Sequence, residues 1–297
     1  MEDWTIKRLL DWSTNFFTQK ALDSPRLSAE LILSHVLDLK RIELYTNFDK
    51  PVAKPQLDQL RELVKRAVQN EPIAYLTGKT EFYSLEFAVT RDCLIPRPET
   101  ELLVERAIEF LRGRASKQLV CDLCTGCGCI AVAIAKNVAD VDVLATDISD
   151  TALQVAVQNA INHRVTERIK FLHGDLFEPL IPEMDNSRFD LVLCNPPYIT
   201  SSEYQRLEPN VKDYEPKAAL LGGADGLDVY RRICRHIEQF LKSDAALMLE
   251  IGYGQGQDVA RLLGQTNLFN KISVEKDFQN NDRIVIAARP LQSLGLL

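Results

Sequence analysis

The sequence predicts an α/β protein: a doubly wound, mostly parallel sheet that follows a small helical domain and a connecting β-hairpin. Three observations indicate this fold class. Helical periodicity fills the first seventy residues, the apolar period changes to two over residues 82–95, and apolar runs alternate with helical stretches from residue 119 onward. The length of 297 residues favours two domains, one of them large.

The predicted N-terminal domain is a helical bundle over residues 1–72. Ser24-Pro25 and Lys54-Pro55 mark two helix starts, because proline fits the first turn of a helix. Residues 73–100 are predicted to form a linker that contains a β-hairpin, with alternating apolar residues over 82–95 and with Pro96-Arg97-Pro98 ending the second strand.

Residues 101–297 are predicted to form the α/β domain. Its strands are expected at 119–123, 141–146, 169–172, 189–194 and 245–251, and its helices at 129–137, 150–162, 227–242 and 255–264. Two final strands, at 271–276 and 283–288, are joined by Asn280-Asn281-Asp282. A connection this short makes them antiparallel neighbours.

Charge and composition limit the classes of partner. Residues 1–72 contain eleven Lys or Arg and eleven Asp or Glu, so the net charge of −7 belongs to residues 73–297. This balance argues against direct nucleic-acid binding, which relies on excess cationic side chains. The N-terminus does not have the pattern of a signal peptide, and no apolar run approaches membrane-spanning length. We therefore expect a cytoplasmic protein with no membrane or direct nucleic-acid partner.

Four of the seven cysteines form the spacing C-x2-C-x2-C-x-C at Cys121, Cys124, Cys127 and Cys129. The spacing is similar to a run of iron–sulfur ligands. Cys121 belongs to a predicted strand, however, and Cys129 to a predicted helix, so their side chains should diverge. We expect no metal and no disulfide framework.

Three polar sites follow consecutive predicted strands. Gly126 and Gly128 lie in a turn that leads into a helix, where backbone N–H groups can meet a ligand, although such a turn is also an ordinary tight connection. Asp147 can accept hydrogen bonds from both ribose hydroxyls, or cap the next helix, and Asp175 can accept from an adenine amino group. One nucleoside spanning this sheet edge explains all three sites.

Asn195-Pro196-Pro197-Tyr198 follows the fourth predicted strand of the sheet and is the most informative segment. An Asn-Pro turn is the plain structural alternative. The side-chain oxygen of Asn195 and the carbonyl of Pro196 can each accept one N–H of a substrate NH2 group, which directs its lone pair at a sulfonium methyl. The prolines hold the turn rigid and remove competing donors, and Tyr198 can stack on the planar acceptor group. The four residues therefore predict a catalytic site for methyl transfer to nitrogen.

With these segments the sequence resembles the HemK/PrmC family of release-factor glutamine methyltransferases over almost the whole chain. The resemblance also rests on further segments, at residues 71–78, 81–82, 94–101, 214–216, 219–220, 222–223, 225–228 and 249–252. It implies a Rossmann-like class I methyltransferase sheet. It also implies S-adenosylmethionine as methyl donor and the glutamine of the Gly-Gly-Gln motif in class 1 peptide chain release factors as acceptor.

The resemblance also implies site residues. The cofactor site carries over to Cys124, Thr125, Gly126, Cys127, Gly128, Asp147, Asp175, Leu176 and Asn195, and the glutamine site to Asn195, Pro196, Pro197 and Tyr198. The helical domain would help to hold the release factor. Cys124 and Cys127 replace the Gly and Ser that are common in this loop of the family, and Asn280 replaces a frequent Gly of the last hairpin.

Three alternatives remain from the sequence. Ribosomal-protein glutamine methyltransferases share the acceptor motif, but residues 96–101 favour release factors. DNA amino-methyltransferases present the same motif to a flipped base and would need a basic surface. A protein that binds the cofactor or a release factor without catalysis is the third alternative, and the intact acceptor motif argues against it.

Overall fold

The structure, a computed structural model, describes residues 4–112, 114, 116–184 and 188–289. Contacts divide the chain into two compact units. The first comprises Met1–Lys79 and Glu208–Tyr214, and the second comprises Thr80–Leu207 and Glu215–Leu297. The domain boundaries after residues 72 and 100 stay predictions.

The first unit is helical. Its helices are α1 (Ile6–Gln19), α2 (Pro25–Leu37), α3 (Arg41–Thr46), α4 (Lys54–Ala67), α5 (Ile73–Thr77) and α10 (Pro209–Lys212). Pro25 and Pro55 lie in the first turns of α2 and α4, as predicted. Leu10, Phe17 and Ile32 are fully buried, so the apolar faces of α1 and α2 form the core of this unit.

The second unit contains the seven-stranded sheet and a separate two-stranded hairpin, whose first residue, Lys79, is counted with the first unit. Its strands are β1 (Lys79–Phe82), β2 (Leu85–Ala88), β3 (Gln118–Leu123), β4 (Val141–Asp147), β5 (Ile169–His173), β6 (Phe189–Cys194), β7 (Leu241–Glu250), β8 (Lys271–Lys276) and β9 (Asp282–Ala288). Its helices are α6 (Thr100–Arg112), α7 (Cys129–Asn137), α8 (Asp150–Asn162), α9 (Ser201–Tyr204), α11 (Asp228–His236) and α12 (Gly256–Gln265). Among the helices that the structure describes, none is both long and apolar enough to cross a membrane.

Seven strands form one sheet in the order β5-β4-β3-β6-β7-β9-β8. All neighbours from β5 to β7 are parallel, and β9 pairs antiparallel with both β7 and β8. Every residue of β6 is buried, as expected for a central strand covered on both faces. The order reverses between β3 and β6, and open α/β sheets bind ligands at such a point. The predicted fold class is confirmed.

The helix predicted over residues 227–242 was too long at its C-terminal end. The α-helix ends at His236, a 3₁₀ turn follows over Ile237–Gln239, and β7 begins at Leu241. Leu241 pairs with Phe189 of β6, whose N–H donates to the Phe240 carbonyl at 2.7 Å. Sheet pairing therefore overrides the local helical pattern, which a periodicity argument does not detect.

The hairpin predicted over residues 82–95 lies earlier in the chain. β1 and β2 are joined by Tyr83 and Ser84, whose φ angles are +51° and +58°. Two successive left-handed residues match the twist of a two-residue hairpin, but neither is the Gly or Asn that normally signals it. Phe82 and Phe87 pack edge to face across the hairpin, with ring centres 6.0 Å apart.

The antiparallel pairing of the last two strands is confirmed, with residues 277–281 between them. Asn280 has a φ of +65°, the left-handed conformation for which Asn is suited. Asp282, predicted to lie in the turn, is instead the first residue of β9.

Candidate active site

A cavity of about 490 Å³ in the second unit lies where β3, β4, β5 and β6 end. Its lining brings together most of the predicted site residues: Cys124, Thr125, Gly126, Cys127, Asp147, Asp175, Leu176, Asn195 and Pro197. Four separate strand ends thus contribute to one space of the size that ligand sites usually have. Gly128, Pro196 and Tyr198 are described residues that do not line the cavity.

The turn after β3 has a left-handed backbone at Cys124, Gly126 and Gly128. A Cβ on Gly126 would meet no atom within 4 Å, so its backbone faces open space. A Cβ on Gly128 would lie 2.9 Å from the Cβ of Ala156 in α8. Gly126 is therefore free for close approach of a ligand, whereas Gly128 is required for helix packing.

Asp122 in β3, which sequence analysis did not assign to the site, holds this turn through hydrogen bonds. Its Oδ2 accepts hydrogen bonds from the Thr125 hydroxyl at 2.5 Å and from the Ala131 N–H at 3.2 Å. Desolvation raises the pKa of this fully buried carboxyl to about 7, against the opposing effect of both hydrogen bonds. The signal for it was available, since a carboxylate near the end of an apolar strand needs partners.

Asp147, the last residue of β4, spans two backbone segments. Its Oδ2 accepts from the Gly126 N–H at 2.8 Å and its Oδ1 from the Ser149 N–H at 2.9 Å. The cap of α8 is Ser149, whose hydroxyl accepts from the Ala152 N–H at 3.1 Å. Burial raises the pKa of Asp147. The carboxylate is thus fixed at the cavity wall with lone pairs remaining for a ligand.

Asp175 faces the cavity together with Arg232 of α11, and the two side chains form an ion pair. Both are partly exposed, at 31% and 42%. Sequence analysis did not find Arg232, because a cation on an amphipathic helix carries no signal of a site. The Asp175 carboxylate has further lone pairs, so the ion pair leaves it able to accept another hydrogen bond.

The acceptor motif is held in place by backbone contacts on both sides. The Ile199 N–H donates to the Leu220 carbonyl at 2.9 Å, and the Gly222 N–H returns to the Ile199 carbonyl at 2.9 Å. A Cβ on Gly222 would lie 2.6 Å from the Pro197 carbonyl oxygen. The Gln255 side chain donates to the Tyr198 carbonyl at 3.0 Å. These contacts make the motif rigid.

The Asn195 side chain is half-buried and lines the cavity. Its Nδ2 donates to the Thr100 hydroxyl at 3.2 Å, and no described residue donates to its Oδ1. No described N–H donates to the Pro196 carbonyl either. The Asn195 side chain and the Pro196 backbone therefore each retain an acceptor oxygen.

Thr100 and Glu250 complete this region and were not singled out as site residues by sequence analysis. The Thr100 hydroxyl donates to Oε2 of the Glu250 carboxylate at 2.6 Å, and the Tyr198 hydroxyl lies 3.4 Å from Oε1 of the same carboxylate. Thr100 and Glu250 are each 1% exposed. A carboxylate at the end of the apolar strand β7 was the available signal for Glu250.

Arg97 and Glu215 hold a further part of the cavity wall. The Arg97 guanidinium pairs with the Glu215 carboxylate at 2.5 Å, and the other oxygen of Glu215 accepts from the Ile95 N–H at 3.3 Å. Glu215 is buried and Arg97 lines the cavity. This pair fixes the segment before α6 beside the segment that follows Glu215.

Cysteines are concentrated around the cavity. Cys93, Cys124, Cys127 and Cys129 line it, and Cys194 lies beneath at the end of β6. A neighbouring thiol and burial raise the pKa of Cys93, and burial raises that of Cys194. Within the described ranges, no group of three or more His, Cys, Asp or Glu side chains could hold a metal ion.

The sheet order and the cavity at its switch point are those of a ligand-binding α/β domain, and the family comparison identifies it as a methyltransferase domain. The family model described as methyltransferase small domain matches residues 99–208, and the model described as PrmC N-terminal domain matches residues 8–78. A solved methyltransferase from Pyrococcus furiosus has the same fold, with a TM-score of 0.50, 14% identity, and 76% of this chain and 98% of that chain covered.

Two curated relatives match nearly end to end. A release factor glutamine methyltransferase from Rhodopirellula baltica is 41% identical over 95% of each chain. Another, from Geobacter sulfurreducens, is 40% identical over 96% of each chain. The chain belongs to the release factor glutamine methyltransferase family.

Proposed function

We propose that this protein transfers a methyl group from S-adenosylmethionine to the side-chain amide nitrogen of the glutamine in the Gly-Gly-Gln motif of class 1 peptide chain release factors. The relatives named for this activity align over 95% or more of this chain. One observation carries the chemistry: Asn195 lines the cavity with a side-chain oxygen to which no described residue donates, and the carbonyl of the next residue, Pro196, has no described donor either.

The cavity residues fit a nucleoside with a charged tail. Asp147 can accept from the ribose hydroxyls, and the open backbone at Gly126 allows close approach of the amino acid part. Asp175 can accept from the adenine amino group, and Leu176 can cover the apolar ring. When bound, S-adenosylmethionine supplies a methyl group on a cationic sulfur.

The acceptor oxygens determine the direction of attack. An amide nitrogen is a poor nucleophile because its lone pair is delocalised into the carbonyl. Asn195 Oδ1 and the Pro196 carbonyl each take one N–H of the glutamine NH2 group, which orients the lone pair towards the methyl. The backbone contacts at Ile199 and Gly222 keep these acceptors still. Stacking of Tyr198 on the planar amide remains a prediction.

No general base is needed before transfer in this scheme. The electron pair of the sulfur–carbon bond would leave with the sulfur of S-adenosylmethionine, and the glutamine nitrogen would carry the methyl group and both of its hydrogens. The N-protonated amide that results is a strong acid, so it loses its proton readily, and Asn195 or Pro196 already holds that proton in a hydrogen bond.

The helical unit is proposed to hold the protein substrate. It matches the model described as PrmC N-terminal domain. Its surface exposes large apolar side chains, with Trp12 at 41%, Ile42 at 68% and Tyr45 at 40%. Aromatic side chains of this kind are enriched in protein interfaces. A substrate of translation termination would make the reaction cytoplasmic.

Labelled S-adenosylmethionine offered with purified release factor, ribosomal protein or DNA tests the proposal. We expect label on the release factor alone, at the Gly-Gly-Gln glutamine by mass spectrometry, and none on a release factor with that glutamine replaced by alanine. Asn195→Ala should abolish transfer while cofactor binding survives, whereas Asn162→Ala, on the exposed end of α8, should behave as wild type. Label on ribosomal protein or DNA instead would overturn the assignment.

A further inference from the structure

The buried pair of Thr100 and Glu250 has no role in the chemistry described above. Both are 1% exposed, and the carboxylate lies at the end of β7, beside the acceptor motif that follows β6. No described ion pair includes Glu250. Burying a carboxyl group without a paired cation is costly, so its position calls for a reason beyond packing.

A directed chain of hydrogen bonds joins Asn195 to Glu250. Asn195 Nδ2 donates to Thr100 Oγ1 at 3.2 Å, and Thr100 Oγ1 donates to Glu250 Oε2 at 2.6 Å. A hydroxyl has one hydrogen, and an ionised carboxylate can only accept. The Thr100 hydrogen is therefore committed to Glu250, and the hydroxyl must receive its second hydrogen bond from the Asn195 NH2 group.

The direction of this chain fixes which end of the Asn195 amide meets the substrate. With Nδ2 engaged by Thr100, Oδ1 is left to accept from the glutamine NH2. A flipped amide would place its oxygen against the lone pairs of Thr100 and offer the substrate a donor where an acceptor is needed. The two ends of an amide have nearly the same shape, so only hydrogen bonding distinguishes them.

We propose, resting on the proposed function, that Glu250 is a positioning residue that acts through Thr100 to hold the Asn195 amide with Oδ1 towards the acceptor nitrogen of the substrate. Neither Thr100 nor Glu250 takes a proton or a methyl group in the reaction. Protonation of Glu250 removes the constraint, because its carboxyl can then donate to Thr100 and free the hydroxyl hydrogen for Asn195 Oδ1.

The charged and titratable groups that face Glu250 come from four segments. Tyr198 lies 3.4 Å from Oε1, the Tyr230 hydroxyl of α11 donates to the Glu250 backbone carbonyl at 2.8 Å, and Glu99 lies before α6. The positive charge of Arg283 in β9 lowers the pKa of Glu250 and so acts against the effect of burial, but Arg283 also forms an ion pair with Asp277 at 3.1 Å. Desolvation is the largest effect and raises the pKa of Glu250 to about 7.

Variants at position 100 test the chain of hydrogen bonds from Asn195 through Thr100 to Glu250. Thr100→Val keeps the shape and deletes the hydroxyl, so kcat should fall about 10- to 100-fold, the scale of a misoriented catalytic group, with the Kd for S-adenosylmethionine unchanged. Thr100→Ser should restore most of kcat. Thr266→Val, which deletes a hydroxyl bonded to the Leu263 carbonyl, should match wild type. A Thr100→Val enzyme with a kcat within twofold of wild type would overturn the proposal. A Thr100→Ser enzyme that folds but does not recover kcat would overturn it as well.

The pH profile tests the carboxylate. Wild-type kcat should fall as the pH is lowered through about 7, whereas Glu250→Gln should have a lower kcat at pH 8 and no such acidic limb. An acidic limb that persists unchanged in Glu250→Gln would reject the assignment. Melting temperatures of all variants, compared with wild type, separate loss of folding from loss of orientation.

A spectroscopic readout separates this inference from the proposed function. In ¹⁵N–¹H spectra of the substrate-free enzyme, the Asn195 Nδ2 signals, assigned with Asn195→Ala, should shift with pH around 7. The shift should vanish in Glu250→Gln and in Thr100→Val. Signals insensitive to both variants would overturn the inference whatever the substrate is. Failure of wild type to methylate the release factor, with these shifts present, would reject only the proposed function.

Discussion

Asp147 Oδ2 accepts a 2.8 Å hydrogen bond from the N–H of Gly126, which joins the end of β4 to the turn after β3. Asp147→Ala should therefore remove the proposed acceptor for the ribose hydroxyls and also the hydrogen bond that holds the turn at Gly126. We expect the Kd for S-adenosylmethionine to rise roughly 10- to 100-fold, since each hydrogen bond to a charged group contributes about 1.5–3 kcal/mol. Calorimetry measures it, with Asp142→Ala on the same strand as control. Equal affinity in the two variants would reject the ribose assignment.

Gly128 and Gly126 should respond differently to alanine. Both have positive φ, but only Gly128 would meet another atom, the Ala156 Cβ at 2.9 Å. Gly128→Ala should lower the free energy of unfolding by about 2–4 kcal/mol, combining backbone strain with overpacking. Gly126→Ala should cost only about 1–2 kcal/mol. Urea unfolding of both proteins measures the difference, and equal losses would contradict it.

Asp175 and Arg232 form an ion pair at the cavity, and their separate removal assigns its role. Because both side chains are partly exposed, Arg232→Ala should change the free energy of unfolding by less than about 1 kcal/mol. Asp175→Ala should weaken S-adenosylmethionine binding about tenfold, because the proposed hydrogen bond to the adenine amino group, worth about 1.4 kcal/mol, would be lost. Arg232→Ala should leave binding within a factor of about two. A parallel loss of affinity in both variants would mean that the ion pair, rather than the free carboxylate, is what binding requires.

Folding stability should decrease as pH rises towards 7. Burial raises the pKa of Asp122 from 3.8 and of Glu250 from 4.5, each to about 7, so the fold binds protons that the unfolded chain releases. Their stabilisation is fully present below about pH 4 and is lost as pH rises through about 7. Glu250→Gln should flatten the fall in melting temperature between pH 5 and 7.5. An identical slope in wild type and variant would show that Glu250 does not titrate in this range.

The parallel sheet was predictable from sequence because each strand is an apolar run bounded by polar turns. β6 was predicted with its observed bounds, Phe189–Cys194, since both of its faces are covered and its apolar pattern is continuous. The β1–β2 turn at Tyr83 and Ser84 was missed because its left-handed residues are not those that signal a turn. The start of β7 was missed because pairing with Phe189 is a long-range contact.

The candidate site was predictable where residues follow strand ends in sequence. Asp147 and Asn195 belong to this class, and both line the cavity. Thr100 and Arg232 were not predictable, because neither follows a strand end in sequence. Thr100 begins α6, before β3, and Arg232 lies in α11, after β6. A Thr in a first helical turn and an Arg on an amphipathic face have ordinary explanations in sequence. Only the folded chain places them beside Asn195 and Asp175.

The thiols around the cavity have a practical consequence for handling this enzyme. Cys93, Cys127 and Cys194 are at most 2% exposed, and their raised pKa values keep them protonated at neutral pH. Alkylating reagents and peroxide attack thiolates that they can reach. The native protein should therefore tolerate iodoacetamide at these three positions and take up reagent there only once it unfolds, which makes their labelling a gauge of its opening.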